Sequence, residues 1–239
     1  MNLPLDKLAE TLALSQPPRP DLVEQADPLG SAVDFSGLVE SLVSHHWFVA
    51  QNYLPETLCL NLLTELKQLR QEAALSAAGI GRGRDHLLAE RIRGDSTHWL
   101  DGSSLVQQEF LALMRELKAV LNRELFLGLF EYESHYAYYP PGAYYKKHVD
   151  AFRGRSNRVV TTVLYLNPDW QPEAGGQMRL YDPGSDQPFL DVAPCLGTFV
   201  CFLSEELPHE VLTTHKDRAS IAGWFRVNAS VNGILDPAL

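Results

Sequence analysis

The amino-acid sequence predicts an α+β fold: a double-stranded β-helix (jelly roll) with N-terminal helices packed on one sheet. Two observations carry that prediction. Amphipathic helical patterns fill the first half of the chain, up to about residue 123. From residue 130 to residue 228, short runs rich in Val, Tyr, Phe and Thr alternate with Pro, Gly and Asp turns. At roughly 8–12 residues per strand and turn, this texture marks an antiparallel region of about eight strands. Helices followed by such strands make a double-sheet jelly roll. The sequence shows no internal repeat.

The elements follow in order. Residues 1–30 are expected to form a weakly ordered arm, in which an amphipathic stretch between Leu3 and Leu14 meets the proline-rich Gln16-Pro17-Pro18-Arg19-Pro20. Residues 31–239 form one domain. Asp34 caps a helix that runs to about Ser44, and residues 47–53 read as a strand. Pro55 opens a longer helix in which Leu58, Leu62, Leu66 and Leu69 recur at helical spacing. The run GIGRGR at residues 79–84 breaks it, and a mobile segment is expected as far as Gly102. Another amphipathic helix covers about residues 103–123, with Phe110, Leu113, Leu117 and Leu121 on one face.

Composition narrows the function. With 239 residues, 45% hydrophobic and 21% charged, the chain has the balance of a soluble globular protein. No apolar run approaches the roughly 18 residues of a membrane span. The N-terminus carries acids among its leucines, which makes a poor secretory signal. Cys59, Cys195 and Cys201 form no CxxC pair and suit reduced thiols in a cytoplasmic protein. A net charge of −10 and a pI near 5.2 argue against a nucleic acid partner. A monomer is expected.

Three features could carry chemistry. In His148-Val149-Asp150, strand alternation would turn an imidazole and a carboxylate to the same side. Alone, that pair reads more readily as a surface histidine beside an acid. His209 lies 59 residues beyond Asp150, where a jelly roll can bring a later strand back beside the first. Two histidines and one carboxylate are the facial triad of non-haem iron(II) oxygenases, which leaves positions open for a bidentate cosubstrate and O2. Arg218 follows His209 by nine residues, at an inward position of a half-buried strand. A buried guanidinium needs an anion. That anion is either a protein carboxylate or the distal carboxylate of a dicarboxylate cosubstrate. Tyr165 is either a core tyrosine or a donor to that same carboxylate. His45, His46, His86, His98, His135 and His215 lack such a context, so packing or solvent exposure is the expectation for each.

These residues resemble the prolyl 4-hydroxylases of the 2-oxoglutarate oxygenase superfamily. The likeness is closer to the prolyl hydroxylases that act on hypoxia-inducible factor, and especially to their bacterial relatives. It rests on Tyr-Pro-Pro-Gly with Tyr145-Lys-Lys-His148-Val-Asp150, on Leu164-Tyr165-Leu166-Asn167-Pro-Asp169-Trp170, on Gly175-Gly176, on Pro208-His209-Glu210-Val211, and on Arg218 with Trp224. Upstream, Ile92-Arg93-Gly94-Asp95-Ser-Thr-His-Trp99 looks like the family's loop that closes over a peptide. The resemblance covers about residues 35–228; the first 30 residues and the loop after Asp150 depart from it.

The resemblance implies iron(II) on His148, Asp150 and His209, with no further catalytic side chain. It places 2-oxoglutarate against Arg218, Tyr165, Tyr139 and Thr161, and the substrate against Arg93, Asp95, Arg158 and Trp224. The implied reaction couples decarboxylation of 2-oxoglutarate, giving succinate and CO2, to hydroxylation at C4 of a prolyl ring. O2 is consumed and ascorbate is supportive. For the bacterial branch, the implied substrate is a proline of elongation factor Tu. Two rivals remain: an oxygenase of a free amino acid or small metabolite, and a non-catalytic jelly-roll metal-binding module.

Overall fold

The computed structural model describes residues 24–25, 33–78, 92–151, 157–228, 230–231 and 234–235. The chain runs β1 (Glu24–Gln25), α1 (Ser36–His45), β2 (Trp47–Gln51), α2 (Glu56–Gln71), β3 (Ser76–Ala77), β4 (Ser96–Trp99) and α3 (Leu105–Leu125). Then come β5 (Leu129–Tyr139), β6 (Tyr145–His148), β7 (Arg158–Tyr165), β8 (Met178–Tyr181), β9 (Pro188–Val192), β10 (Phe199–Leu203), β11 (His209–Val211) and β12 (Arg218–Val227). The two-residue strands β13 (Ser230–Val231) and β14 (Ile234–Leu235) pair with each other. Of the expected N-terminal arm only β1 is described, and it pairs in parallel with β2.

Local signals stand at the ends of two helices, although the N-cap position of α1 is Phe35 and not the expected Asp34. Asp34 accepts bonds from the Ser36 N–H and hydroxyl, both at 2.9 Å, just before α1. His46 closes α1 in the left-handed region with φ 71°. Ser104 caps α3 by accepting from Gln107 N at 3.2 Å. The buried stripe of α3 is Phe110, Met114, Leu117 and Leu121. Leu113, expected on that face, is only partly buried, because the i, i+4, i+7, i+11 rows select Met114 instead.

The major sheet has the order β1-β2-β10-β7-β12-β5-β4-β3 and the minor sheet β6-β11-β8-β9. Alternation along the major sheet sorts its side chains onto two buried faces. Val160, Leu164, Phe199, Cys201, Ala219, Ile221 and Phe225 share one apolar cluster with Leu38, Leu42, Leu58, Leu62, Leu66 and the α3 stripe. Their alternates Val163, Tyr165, Val200 and Phe202 meet Met178, Leu180 and Val192 of the minor sheet. Burial on both faces explains why β10 reads as the unbroken apolar run FVCFL.

The segment expected to be mobile from Gly79 to Gly102 is divided. Residues 79–91 lie outside the described residues, so Arg82, Arg84 and Arg91 do too. Residues 92–99 are tied into the fold. Ile92 O accepts from Lys146 N at 2.9 Å, Gly94 N donates to Tyr144 O at 3.0 Å, and β4 then pairs with β5. This stretch therefore crosses from the minor sheet to the major one. The physical reason is the outer edge of β5, whose backbone groups would otherwise go unpaired beside the helical layer. No helix among the described residues is long and apolar enough to cross a membrane.

Candidate functional site

Between the two sheets lies a cavity of about 370 Å³. His148, Asp150 and His209 line it, and their ligand atoms lie within 4.8 Å of one another. The antiparallel pairing of β6 with β11 sets His148 directly opposite His209. That register is what joins positions far apart in sequence. Each histidine's Nδ1 lies against a backbone carbonyl two residues back, His148 on Lys146 O at 2.8 Å and His209 on Leu207 O at 3.0 Å. Nδ1 must carry the proton to donate there, which leaves each Nε2 lone pair for a metal. Those Nε2 atoms stand 3.6 and 3.8 Å from the Asp150 carboxylate. Burial holds the His209 imidazole down to about 4. Burial would raise the Asp150 carboxyl, but His209 and His148 outweigh it and hold it well below the usual carboxylate range.

Asp150 reaches this position differently from the strand alternation read in the sequence. β6 ends at His148, and Asp150 lies beyond it. Its carboxylate turns instead towards the major sheet, where Oδ2 accepts from Thr161 Oγ1 at 2.8 Å. Thr161, expected beside the cosubstrate, lines the same cavity but spends its hydroxyl on the carboxylate.

Three arginines line the cavity: Arg93, Arg158 and Arg218. Arg93 forms a two-point pair with Asp95 at 2.7 and 2.5 Å. Arg158 pairs with Glu133 at 2.7 Å and lies 3.7 Å over the ring of Trp224. Arg218 is 2% exposed, yet among the described residues no carboxylate lies within ion-pair distance of it. Its Nε donates to Gly176 O at 2.8 Å, and its guanidinium sits 4.9 Å from the Tyr139 ring and 5.0 Å from that of Tyr165. Burial pushes the Tyr165 phenol up to about 12, although Arg218 draws it down. Both phenols therefore stay protonated at neutral pH and leave the guanidinium's charge intact. The Gly175-Gly176 pair has a steric reason. A Cβ on Gly175, at φ +67°, would meet Thr213 O at 2.3 Å, and one on Gly176 would crowd Arg218 Cδ at 3.1 Å.

Among the cavity residues to which the sequence assigned no role are Tyr145 and His135. Tyr145 stacks on the His148 ring at 3.7 Å and lies under Arg93, whose guanidinium is 4.5 Å from its centroid. His135, expected to be an ordinary packed or exposed histidine, is buried between Trp99 and Trp224 at 5.1 and 5.4 Å. The only signals were alternation along β5 and β6, which many core aromatics share. Burial, with Arg93 nearby, holds His135 down to about 4, so it adds no positive charge to the cavity at neutral pH. The sign of its effect on stability follows. Above pH 6.5 the imidazole is neutral both folded and unfolded. Between pH 6.5 and 4 only the unfolded chain takes up the proton, so stability falls as pH falls. In metal-free protein, the drop in unfolding midpoint across that window is expected to be smaller in His135→Asn.

Two facing sheets with a two-histidine, one-carboxylate face beside an unpaired buried cation define a metal-dependent centre that takes a carboxylate ligand. The comparisons agree. Residues 134–226 match the model of the 2OG-Fe(II) oxygenase superfamily. The solved structure of a Pseudomonas putida prolyl-4-hydroxylase is similar, with a TM-score of 0.74 and 39% identity over 82% of this chain and 100% of that one. A Trichoplax adhaerens prolyl hydroxylase, solved with a hypoxia-inducible factor oxygen degradation domain peptide, gives a TM-score of 0.71 at 26% identity over 79% and 86% of the two chains. The hypoxia-inducible factor prolyl hydroxylase of Caenorhabditis elegans is 27% identical over 79% of this chain, which spans 27% of that protein's length.

The chain belongs to the 2-oxoglutarate- and iron(II)-dependent oxygenase superfamily. That family uses iron(II), 2-oxoglutarate and O2, and the residues present fit these groups. His148, Asp150 and His209 supply the donor set for iron. The guanidinium of Arg218 supplies a buried positive charge for a carboxylate.

Proposed function

We propose that the protein hydroxylates C4 of a prolyl residue in a protein substrate, with elongation factor Tu as that substrate. The observation that carries the reading is the division of charge in the cavity. Arg218 is left for the distal carboxylate of 2-oxoglutarate, whereas Arg93 and Arg158 are already neutralised by Asp95 and Glu133. A free amino acid would bring two charges that need unpaired partners; a prolyl ring within a peptide brings none. Trp224, Trp99 and His135 offer that ring an aromatic wall. Trp224 Nε1, buried without a partner among the described residues, can donate to a peptide carbonyl. The likeness to prolyl hydroxylases, one of them solved with a peptide, supports the substrate class. Elongation factor Tu rests on the resemblance to the bacterial branch; a cytoplasmic location is part of the same proposal, and the unbridged Cys59, Cys195 and Cys201 suit it.

In this mechanism His148, Asp150 and His209 would hold the iron. When bound, the iron and 2-oxoglutarate supply the oxidising chemistry, with O2 as oxidant. Arg218 orients the cosubstrate by its far carboxylate, with the Tyr165 and Tyr139 rings walling the charge off from water. Arg158 and Trp224 form one side of the substrate position. The protein's share is thus orientation and exclusion of water.

The deciding experiment incubates the protein with iron(II), 2-oxoglutarate and either elongation factor Tu or free proline. Succinate formed in step with one oxygen added to a proline of the protein supports the reading. Turnover on free proline alone overturns it. Trp224→Ala is expected to raise KM for the protein substrate at least about tenfold, the loss typical of a buried aromatic anchor. Its Co(II) binding should match wild type; an unchanged KM would remove Trp224 from the substrate wall.

A further inference from the structure

Asp150 is the metal ligand that its own strand does not aim, since β6 ends two residues earlier. What aims it comes from the major sheet. Thr161 of β7 is 2% exposed and donates from Oγ1 to Asp150 Oδ2 at 2.8 Å. The same hydroxyl meets Ser204 Oγ at 2.9 Å, and Ser204 is fully buried. Ser204 is itself held by the backbone: its N–H donates to Val159 O at 3.0 Å, and its carbonyl accepts from Ala151 N at 3.2 Å. The peptide next to Asp150 is therefore strapped to the residue that supports Thr161.

The direction of this chain follows from its chemistry. An ionised carboxylate can only accept, so the single hydroxyl proton of Thr161 goes to Asp150. The Thr161 oxygen must then accept, which makes Ser204 its donor. The order is Ser204 to Thr161 to Asp150, and each donation polarises the next.

The geometry points to Thr161 and Ser204 as positioning residues that hold Asp150 by Oδ2 and leave Oδ1 to the metal. Engaging Oδ2 keeps the carboxylate to one coordination position. A carboxylate free to turn could bind through both oxygens and take a position that a bidentate cosubstrate and O2 require. The inference rests on the reading of this site as an iron centre. It also gives Thr161 a role different from direct contact with 2-oxoglutarate.

The test is a titration of metal-free protein with Co(II), followed by the visible absorption of the bound ion, for wild type, Thr161→Val, Thr161→Ser and Ser204→Ala. Thr161→Val, nearly equal in shape but without the hydroxyl, is expected to weaken Co(II) binding about 10- to 100-fold. It should also change the absorption band pattern. Thr161→Ser, which keeps the hydroxyl, should return to within about threefold of wild type, and Ser204→Ala should lose less than the valine variant. Ser204→Ala carries the same test if the valine variant does not fold, which thermal unfolding will show. Wild-type Co(II) affinity and spectrum in both Thr161→Val and Ser204→Ala would overturn the inference, most sharply if 2-oxoglutarate affinity alone fell. Failure of the wild-type protein itself to take up Co(II) would overturn the iron-centre reading, and this inference with it.

Discussion

Asp150→Ala is expected to abolish 2-oxoglutarate turnover. Asp150 is the only anionic member of the donor set, and its carboxyl lies well below the usual carboxylate range, so it is ionised at neutral pH. Removing it leaves His148 and His209, with ring centroids 4.3 Å apart, as the remaining candidate ligands among the described residues. Two neutral imidazoles cannot hold iron against water as three ligands do, so both metal content and succinate formation should fall to background. The protein should remain folded by circular dichroism, because the apolar clusters on both faces of the major sheet do not include Asp150. His148→Ala should behave in the same way. Asp150→Glu is the finer test, since one added methylene displaces the carboxylate in a site that tolerates about 0.5 Å of error. Decarboxylation near the wild-type rate in either alanine variant would disprove the donor assignment.

Arg218→Ala is expected to raise the 2-oxoglutarate requirement by about two orders of magnitude while leaving Co(II) binding intact. The lost contact is a charge-assisted pair worth about 1.5–3 kcal/mol for each hydrogen bond. Most buried arginines would destabilise the fold when removed, because their carboxylate partner is left behind uncompensated. Arg218 leaves no such partner among the described residues; its losses are the bond to Gly176 O, a weak one to Ser220 Oγ at 3.4 Å, and its contacts with the Tyr139 and Tyr165 rings. The expected signature is therefore an unfolding midpoint close to wild type, with the upward shift given by 2-oxoglutarate abolished. Normal use of 2-oxoglutarate by this variant would return Arg218 to a structural role.

Much of this protein could be read from its sequence by itself. Leucine spacing marked the long helix at Glu56–Gln71, and the Val- and Tyr-rich runs marked the eight strands from β5 to β12. The candidate ligands His148, Asp150 and His209 were named from the sequence through the resemblance, since the His148–Asp150 pair alone reads more readily as a surface histidine beside an acid; the structure brings the three together. Periodicity succeeds at this level because it records which side of an element is buried, and that is a local property. It says nothing of which partner a polar group meets across the fold. Only the tertiary structure decided that Arg93 and Arg158 are neutralised and Arg218 is not. It also decided that Asp150 is aimed by Thr161 from another sheet, and that residues 92–99 bridge the sheets instead of hanging free. Apart from the local Arg93–Asp95 pair, each of these joins separate elements of the chain, set by strand register and by the need to pair buried charges and backbone groups.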